Sequence, residues 1–305
     1  MSGSEGLSRR AFLTTAASSL AAMTHAAGAP AAAGTRRHRE DRRLDFVQPW
    51  VIRDLAPGRS GHNFTQAGIT ETLVEARPDG RLVPGLARAW RASADLRSWT
   101  FTLRPGVVFH DGTAATAEAV AASLDALLPA STAFADVAVR AVAPVEGAVA
   151  IRLEAPFAHL PALLADPSVA VLARSSFGAS GEVVDVVGTG LFRLAAIDPP
   201  FRLASRGFAR HRAGAPRYAA RGFRALIDPA ERAERAIAGA CDVAIDLPRE
   251  ALPALAERPD MAVERAVTPR VHLLQVNAAL PQFADPRVRR ALHMAIDRRT
   301  LAAVA

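Results

Sequence analysis

The residues with chemical potential are few and scattered. The chain has eight histidines. None follows the His-Glu-x-x-His spacing, which would put two imidazoles on one helix face with a general base between them. No Gly-x-Ser-x-Gly elbow presents a nucleophilic serine. Gly188 and Gly190 lack the third glycine and following helix of a dinucleotide loop, so they read as a tight turn. The lone cysteine, Cys241, excludes an intramolecular disulfide framework and a multi-cysteine zinc site. His110-Asp111-Gly112 reads as a turn. What remains is His62-Asn63-Phe64, with Gln66 and Thr70 close behind. An imidazole, two amides, a hydroxyl and a ring in one short stretch could hydrogen-bond and stack a bound molecule. The same residues also suit a surface loop with one core phenylalanine. No catalytic residue, metal ligand or cofactor is implied.

Around this stretch the chain mixes strand and helix patterns. Leu44–Val47 reads as a strand and residues 57–61, rich in Pro and Gly, as a loop. Residues 67–76 look helical, with Ile69, Leu73 and Val74 on one face. Residues 98–104 alternate, with Trp99, Phe101 and Leu103 on one side, as a half-buried strand does. Thr116 can cap a helix carrying Glu118 in its first turn, where negative charge suits the dipole. Val120, Leu124 and Leu127 then recur at helical spacing. Residues 148–153 read as a strand, and 187–192 as a glycine turn entering another. Asp228-Pro229-Ala230-Glu231 starts a helix that Gly239 can end. Residues 242–245 and 271–276 read as strands, the second buried. Asp285-Pro286 starts a last helix with Val288, Leu292, Ala295 and Ile296 inward. This irregular mixture points to an α/β (mixed α+β) fold, without internal repeats.

The 305 residues suggest two domains and enough chain to bury a sizeable core. Half are hydrophobic and 22% charged, too apolar for a disordered chain. The formal net charge is +7, and all 37 basic residues are arginine. Arginine in place of lysine, in an alanine-rich chain, reads as the signature of a GC-rich genome. The run at residues 35–43 has five arginines but no interleaved aromatics on a folded element, so no nucleic-acid partner is implied. The N-terminus is more specific. Arg9 and Arg10 precede Phe12 and Leu13, and a weakly apolar stretch runs to about Ala33, with small residues near its end. This is the layout of a secretory signal. The paired arginines resemble a twin-arginine export signal, with Thr14 where a basic residue is common. A membrane anchor fits less well, because Ser18, Ser19, Thr24 and His25 interrupt the stretch.

Four segments together resemble the family 5 extracellular solute-binding proteins of ABC importers, the dipeptide, oligopeptide and nickel-binding type. They are residues 69–90, residues 99–113 (WTFTLRPGVVFHDGT), Val187-Gly188-Thr189-Gly190 with residues 221–246 behind it, and residues 285–298 (DPRVRRALHMAIDR). Their order and spacing match the family over nearly all of residues 45–305. The resemblance implies a two-lobed fold of the type II periplasmic binding protein kind, in which hinge closure buries a ligand between lobes. It implies an exported, periplasmic or extracellular monomer that captures a peptide or similar small solute for a membrane permease, and no enzyme. His62, Asn63, Phe64, Gln66 and Thr70 would enter the cleft. Asn277 would lie where the chain crosses between lobes, or else in a strand-ending turn.

The implied domains are a signal over 1–33, a basic linker over 34–44, a first lobe over 45–270, and a crossover with the start of a second lobe over 271–305. Within the first lobe, 45–66 and 187–270 would form the core and 67–186 an inserted subdomain. Family members run well beyond residue 305, so the resemblance implies that the second lobe is largely missing. With it would go the acidic residue that holds a peptide amine and the histidine of nickel-binding members. Residues 127–139 also have no Trp or Arg to match the nickel type. The stripe of Val288, Leu292, Ala295, Ile296 and Leu301 would then lack partners, leaving residues from about 278 onward frayed or docked on the first lobe. A nonfunctional truncated copy is one reading. An exported Ser-dependent hydrolase is the alternative class, supported only by the presence of Ser, His and Asp.

Overall fold

The computed structural model describes residues 43–266 and 273–304. Arg9, Arg10, Phe12 and Leu13 lie outside them. The chain divides into two compact units, with the boundary between Thr268 and Pro269.

The first unit contains two main sheets and a small hairpin. The sheet nearest the N-terminus is built on β1 (Arg43–Gln48). It includes β8 (Phe192–Asp198), β9 (Arg202–Gly207), β10 (Ala220–Ala225) and β11 (Val243–Ala244), in the order β11-β1-β10-β9-β8. β1 runs parallel to both β10 and β11, whereas β10, β9 and β8 form an antiparallel meander. Helix α1 (Pro57–Gln66) lies against one face, burying Phe64 with Ile52, Ile69, Leu203 and Phe223. Phe46 stacks on Phe223 across the β1–β10 pair, ring centroids 4.6 Å apart.

The other sheet has the order β4-β5-β7-β6, from β4 (Ala87–Ala92), β5 (Ser98–Leu103), β6 (Val139–Val145) and β7 (Ala148–Leu153). Trp99, Phe101 and Leu103 alternate inward as their spacing predicts, and pack in one core with Val120 and Leu124 of α2 (Ala117–Leu127) and with the short α3 (Leu160–Leu163). The Thr116 hydroxyl caps α2 by accepting from the Ala119 amide. β2 (Val74–Ala76) and β3 (Leu82–Pro84) form the small hairpin.

Three expectations are corrected. Residues 57–61 are helical, not a loop. Pro57 sits at the first helical position, where its missing N–H costs nothing. A Cβ at Gly61 would collide with the Pro167 carbonyl, so this glycine serves close packing of α1 rather than a turn. Residues 67–76 are not helical. Gly68 turns out of α1 at φ +71, and the chain continues extended into β2. Ile69, Leu73 and Val74 are nonetheless fully buried. No strand covers residues 273–276, where Leu273 and Leu274 are exposed, and residues 271–272 lie outside the described part.

Other boundaries agree with the pattern. α4 (Pro229–Ile237) is capped by the Asp228 carboxylate and followed by Gly239 at φ +67. Helix α5 (Leu252–Ala256) buries Leu255 with Ala233 and Ala236 of α4. The second unit holds α6 (Pro281–Ala284), α7 (Pro286–Ala295) and α8 (Arg298–Val304). The Asp285 carboxylate caps α7 as expected. The inward stripe is not realised, because α6 and α7 bury no residue and Val288, Met294 and Ile296 are exposed. A segment this short cannot enclose a core of its own.

Candidate functional site

Open α/β sheets receive ligands beyond the carboxyl ends of their parallel strands. Here β1, β10 and β11 end at Gln48, Ala225 and Ala244. Backbone bonds gather the following loops side by side. Leu226 N donates to Gln48 O (2.8 Å), Ile52 N to Pro200 O (2.9 Å) and Ala225 N to Phe201 O (2.8 Å).

The loop after β1 is fixed by neutral side chains and by the Asp54 carboxylate, which accepts from Ala56 N (2.8 Å). Gln48 Nε2 donates to Asn63 Oδ1 (3.0 Å), and Asn63 Nδ2 donates to Val51 O (3.1 Å). Ser60 Oγ accepts from the amides of Arg53 (3.0 Å) and Asp54 (3.2 Å). This leaves Trp50 half-buried and edge-on to His62, ring centroids 4.9 Å apart. His62 Nε2 is buried without a hydrogen-bond partner, as is Gln48 Oε1. Burial lowers the His62 pKa, opposed by the charge of Asp166, which favours the neutral imidazole at neutral pH. Phe201 and Ile227 are 48% and 67% exposed at this end of the sheet.

The loops after β10 and β11 are held by one guanidinium. Arg232, 3% exposed, donates through Nη1 to the carbonyls of Leu226 (2.6 Å) and Ile227 (2.9 Å). It donates through Nε to Ile245 O (3.1 Å) and through Nη2 to Asp246 O (2.6 Å). A buried cation is tolerable only with its hydrogen bonds made, and these tie both loops together.

A second polar cluster marks where the chain passes between the two main sheets. The outgoing and returning strands of chain lie side by side, with Gly190 N donating to Ile69 O (3.0 Å) and Phe192 N to Gly68 O (2.9 Å). A Cβ at Gly190 would overlap the Gly68 carbonyl, which is the physical reason for glycine here. The Glu71 carboxylate accepts from Thr189 Oγ1 (2.7 Å) and from Arg212 Nη1 (2.6 Å to one oxygen, 2.7 Å to the other). His211 Nε2 stands 3.7 Å away, beyond hydrogen-bond reach. Burial works to raise the Glu71 pKa, but His211, Arg212 and Thr189 together hold it below the usual carboxylate range. Burial and the Glu71 charge push Glu75 upward. His110 Nε2 donates to Gly190 O (2.9 Å), which leaves Nδ1 unprotonated and, in its buried position, unpartnered. Burial lowers the His110 pKa.

The residues singled out in the sequence fall into distinct places. His62 stands beside Trp50 at the carboxyl end. Asn63 is buried and positions the Trp50 loop, and Phe64 is wholly inside the core. Gln66 is 9% exposed, with both amide atoms unpartnered. Thr70 is buried, its hydroxyl 3.1 Å from that of Thr65. Asn277, in the second unit, makes a turn in which its Oδ1 accepts from Ala279 N (3.0 Å). Trp50, Arg232 and the Glu71 cluster were not singled out. Their partners lie far along the chain, and only Trp50, next to the first strand, carried a local signal.

Among the described residues, no group of three or more His, Cys, Asp or Glu side chains could hold a metal ion, and no serine hydroxyl bonds a histidine ring. A recess of about 810 Å³ opens instead at the turns of the four-stranded sheet, lined by Arg88, Arg104, Thr116 and Glu118 among others.

The sequence matches the profile of bacterial extracellular solute-binding proteins, family 5 Middle, over residues 81–305. It is 28% identical over 229 residues to the glutathione-binding protein GsiB of Salmonella typhi, covering 72% of this chain and 44% of that protein. It is 28% identical over 244 residues to the probable D,D-dipeptide-binding periplasmic protein DdpA of Escherichia coli, covering 74% and 47%. The fold superposes on a nickel ABC transporter protein from Bacillus halodurans with TM-score 0.71 and 27% identity, covering 86% of this chain and 55% of that one. The chain thus spans about half the length of the curated relatives it matches.

Proposed function

Because the chain belongs to the family 5 bacterial extracellular solute-binding proteins, and has their type II periplasmic binding protein fold, we propose that it captures a peptide or similar small solute for an ABC importer. The observation that carries this reading is the family match across residues 81–305. It is supported by a sheet edge whose loops are held rigid while polar atoms stay unspent. In this reading the protein works as a monomer in the periplasm, where a relative's name places it, and hands its solute to a membrane permease. Arg9, Arg10, Phe12 and Leu13 would direct export by the twin-arginine route.

The solute would meet the Trp50–His62 edge first. The Trp50 ring offers a stacking surface, and the neutral His62 Nε2 is free to take part in a hydrogen bond. Asn63, Phe64, Gln66 and Thr70 shape the helix and loop that carry these two. The reaction is binding alone. No arrangement of Ser, His and Asp supports hydrolysis among the described residues.

Thermal unfolding against a library containing glutathione, dipeptides and nickel chelates tests this. A solute bound only by the folded chain adds RT ln(1 + [L]/Kd), about 2.7 kcal/mol at a hundredfold excess over Kd. The expected result is a rise in Tm with one solute class, and no rise with any would overturn the proposal. Export is tested separately with the double variant Arg9→Lys and Arg10→Lys, which should leave unprocessed precursor in the cytoplasm. Normal processing would refute the twin-arginine route.

A further inference from the structure

The net positive charge of this chain is not spread evenly. Residues 192–225 hold eight arginines and one aspartate, a net +7, as large as the formal net charge of the whole chain. This segment is the β8–β9–β10 meander. Arg212 is spent on Glu71, and Arg221 lies on the inner face over the Phe192 ring, 4.0 Å from its centroid. Four others share the outer face of the meander. The register sets Arg193 directly opposite Arg206, and Arg202 directly opposite Arg224. Their burial confirms the side: Leu203 and Ser205 point inward, while Arg202 and Arg206 are exposed.

Like charges directly opposite on neighbouring strands destabilise a sheet. Here two such pairs occur, separated along β9 by four residues, about 13 Å. Asp198, across from Arg202, is the one acid on these strands. Among the described residues none of the four arginines forms an ion pair. A GC-rich genome explains arginine in place of lysine but not its gathering on one face. Between the arginines of the meander stand small residues, Ala204 and Gly222, with the Arg43–Asp45 ion pair of β1 lying over Gly222 at the margin of the face.

We propose that this face docks the protein on an anionic lipid surface, with the paired guanidiniums each engaging phosphate headgroups. A guanidinium fork matches phosphate oxygens and is weakly hydrated, so it binds them well. A protein partner would ask for aromatic or aliphatic anchors at the centre of the patch, and there are none. Single-stranded nucleic acid would ask for aromatic stacking platforms, also absent from this face. An array of cations with no large apolar side chain among them suits a plane of phosphates. The proposal is independent of which solute, if any, the chain binds.

The test is co-sedimentation of the full chain with phosphatidylglycerol–phosphatidylcholine vesicles and with phosphatidylcholine vesicles, at low and physiological salt. The face variant Arg193→Ser, Arg202→Ser, Arg206→Ser, Arg224→Ser is compared with a charge-matched variant of the other sheet. That control is Arg88→Ser, Arg91→Ser, Arg140→Ser, Arg152→Ser, all at exposed positions. We expect salt-sensitive binding to the anionic vesicles, weakened about tenfold or more in the face variant and little in the control. The Tm of the face variant should hold or rise, since its like-charge pairs are gone. Equal weakening in both variants, or none in the face variant, would overturn the proposal. So would displacement of the chain from vesicles by a duplex oligonucleotide or by polyglutamate at equal charge concentration.

Discussion

The end of the sheet where β1, β10 and β11 finish and the crossing between the two main sheets are both polar, but they use polarity differently. At the crossing every oxygen of Glu71 is engaged, and the partners come from two distant parts of the chain. At the strand ends the side chains that do the positioning are amides, a hydroxyl, the Asp54 carboxylate and a guanidinium. There, Gln48 Oε1 and His62 Nε2 are left without partners. Around Glu71 the carboxylate is fully spent and only His110 Nδ1 is left open, so this cluster chiefly holds the fold, whereas two open atoms beside a half-buried indole can also receive a ligand. In the proposed reading, the crossing supplies architecture and the strand ends supply recognition.

The largest effect should come from Arg232, on which four carbonyls depend. Arg232→Ala strands them in a buried site and should cost about 3 kcal/mol. Chemical denaturation checks this, and a loss under about 1 kcal/mol would mean that water replaces the guanidinium easily.

Glu71→Gln comes next, at about 2 kcal/mol near neutral pH, because it leaves a charged Arg212 opposite a neutral amide. This variant also separates the two regions by pH. Glu71 has a folded pKa below its unfolded one, so its contribution is present above the ordinary carboxylate range and lost as pH falls through the folded pKa. Glu75, whose pKa is raised, has the opposite sign: its contribution is present in acid and lost as pH rises. Stability of Glu71→Gln should therefore fall less steeply in acid than that of the parent. Parallel curves would place the acid sensitivity elsewhere.

Asn63→Ala should cost about 1 kcal/mol, since it frees the Gln48 amide and the Val51 carbonyl. Its sharper signature is local, faster amide exchange in the loop over 49–56 with the crossing unaffected. The smallest expected effect is that of the two buried histidines. His62 and His110 are held neutral, so the unfolded chain takes up protons that the folded one does not. Stability should decline modestly as pH falls below about 6.5, and His110→Gln should blunt that decline.

Much of the framework was legible in the sequence. The Trp99–Phe101–Leu103 alternation located β5, and Asp228-Pro229 and Thr116 located helix starts, because these signals are local. The failures have one cause. Residues 57–66 form a helix although Gly58, Ser60 and Gly61 resemble a loop, since packing of Gly61 on Pro167 rewards the close approach. Residues 67–76 carry a helical pattern of apolar residues, but the crossing against 188–192 requires extended chain. In the stretch at 62–70, which the proposed reading places at the site, the sequence did not show the task of each side chain: Phe64 is wholly core and Asn63 fixes the Trp50 loop. Glu71 reaches Thr189 and Arg212 across 118 and 141 residues, separations that no local pattern encodes.

The division between holding and receiving is tested most directly by calorimetric titration of the solute that raises the Tm. It should be carried out on the parent chain and on His62→Ala and Glu71→Gln. The account predicts that His62→Ala weakens binding tenfold or more with little change in the unliganded Tm, while Glu71→Gln lowers the Tm and leaves the affinity near that of the parent. Unchanged affinity in His62→Ala, or a larger loss in Glu71→Gln, would contradict it.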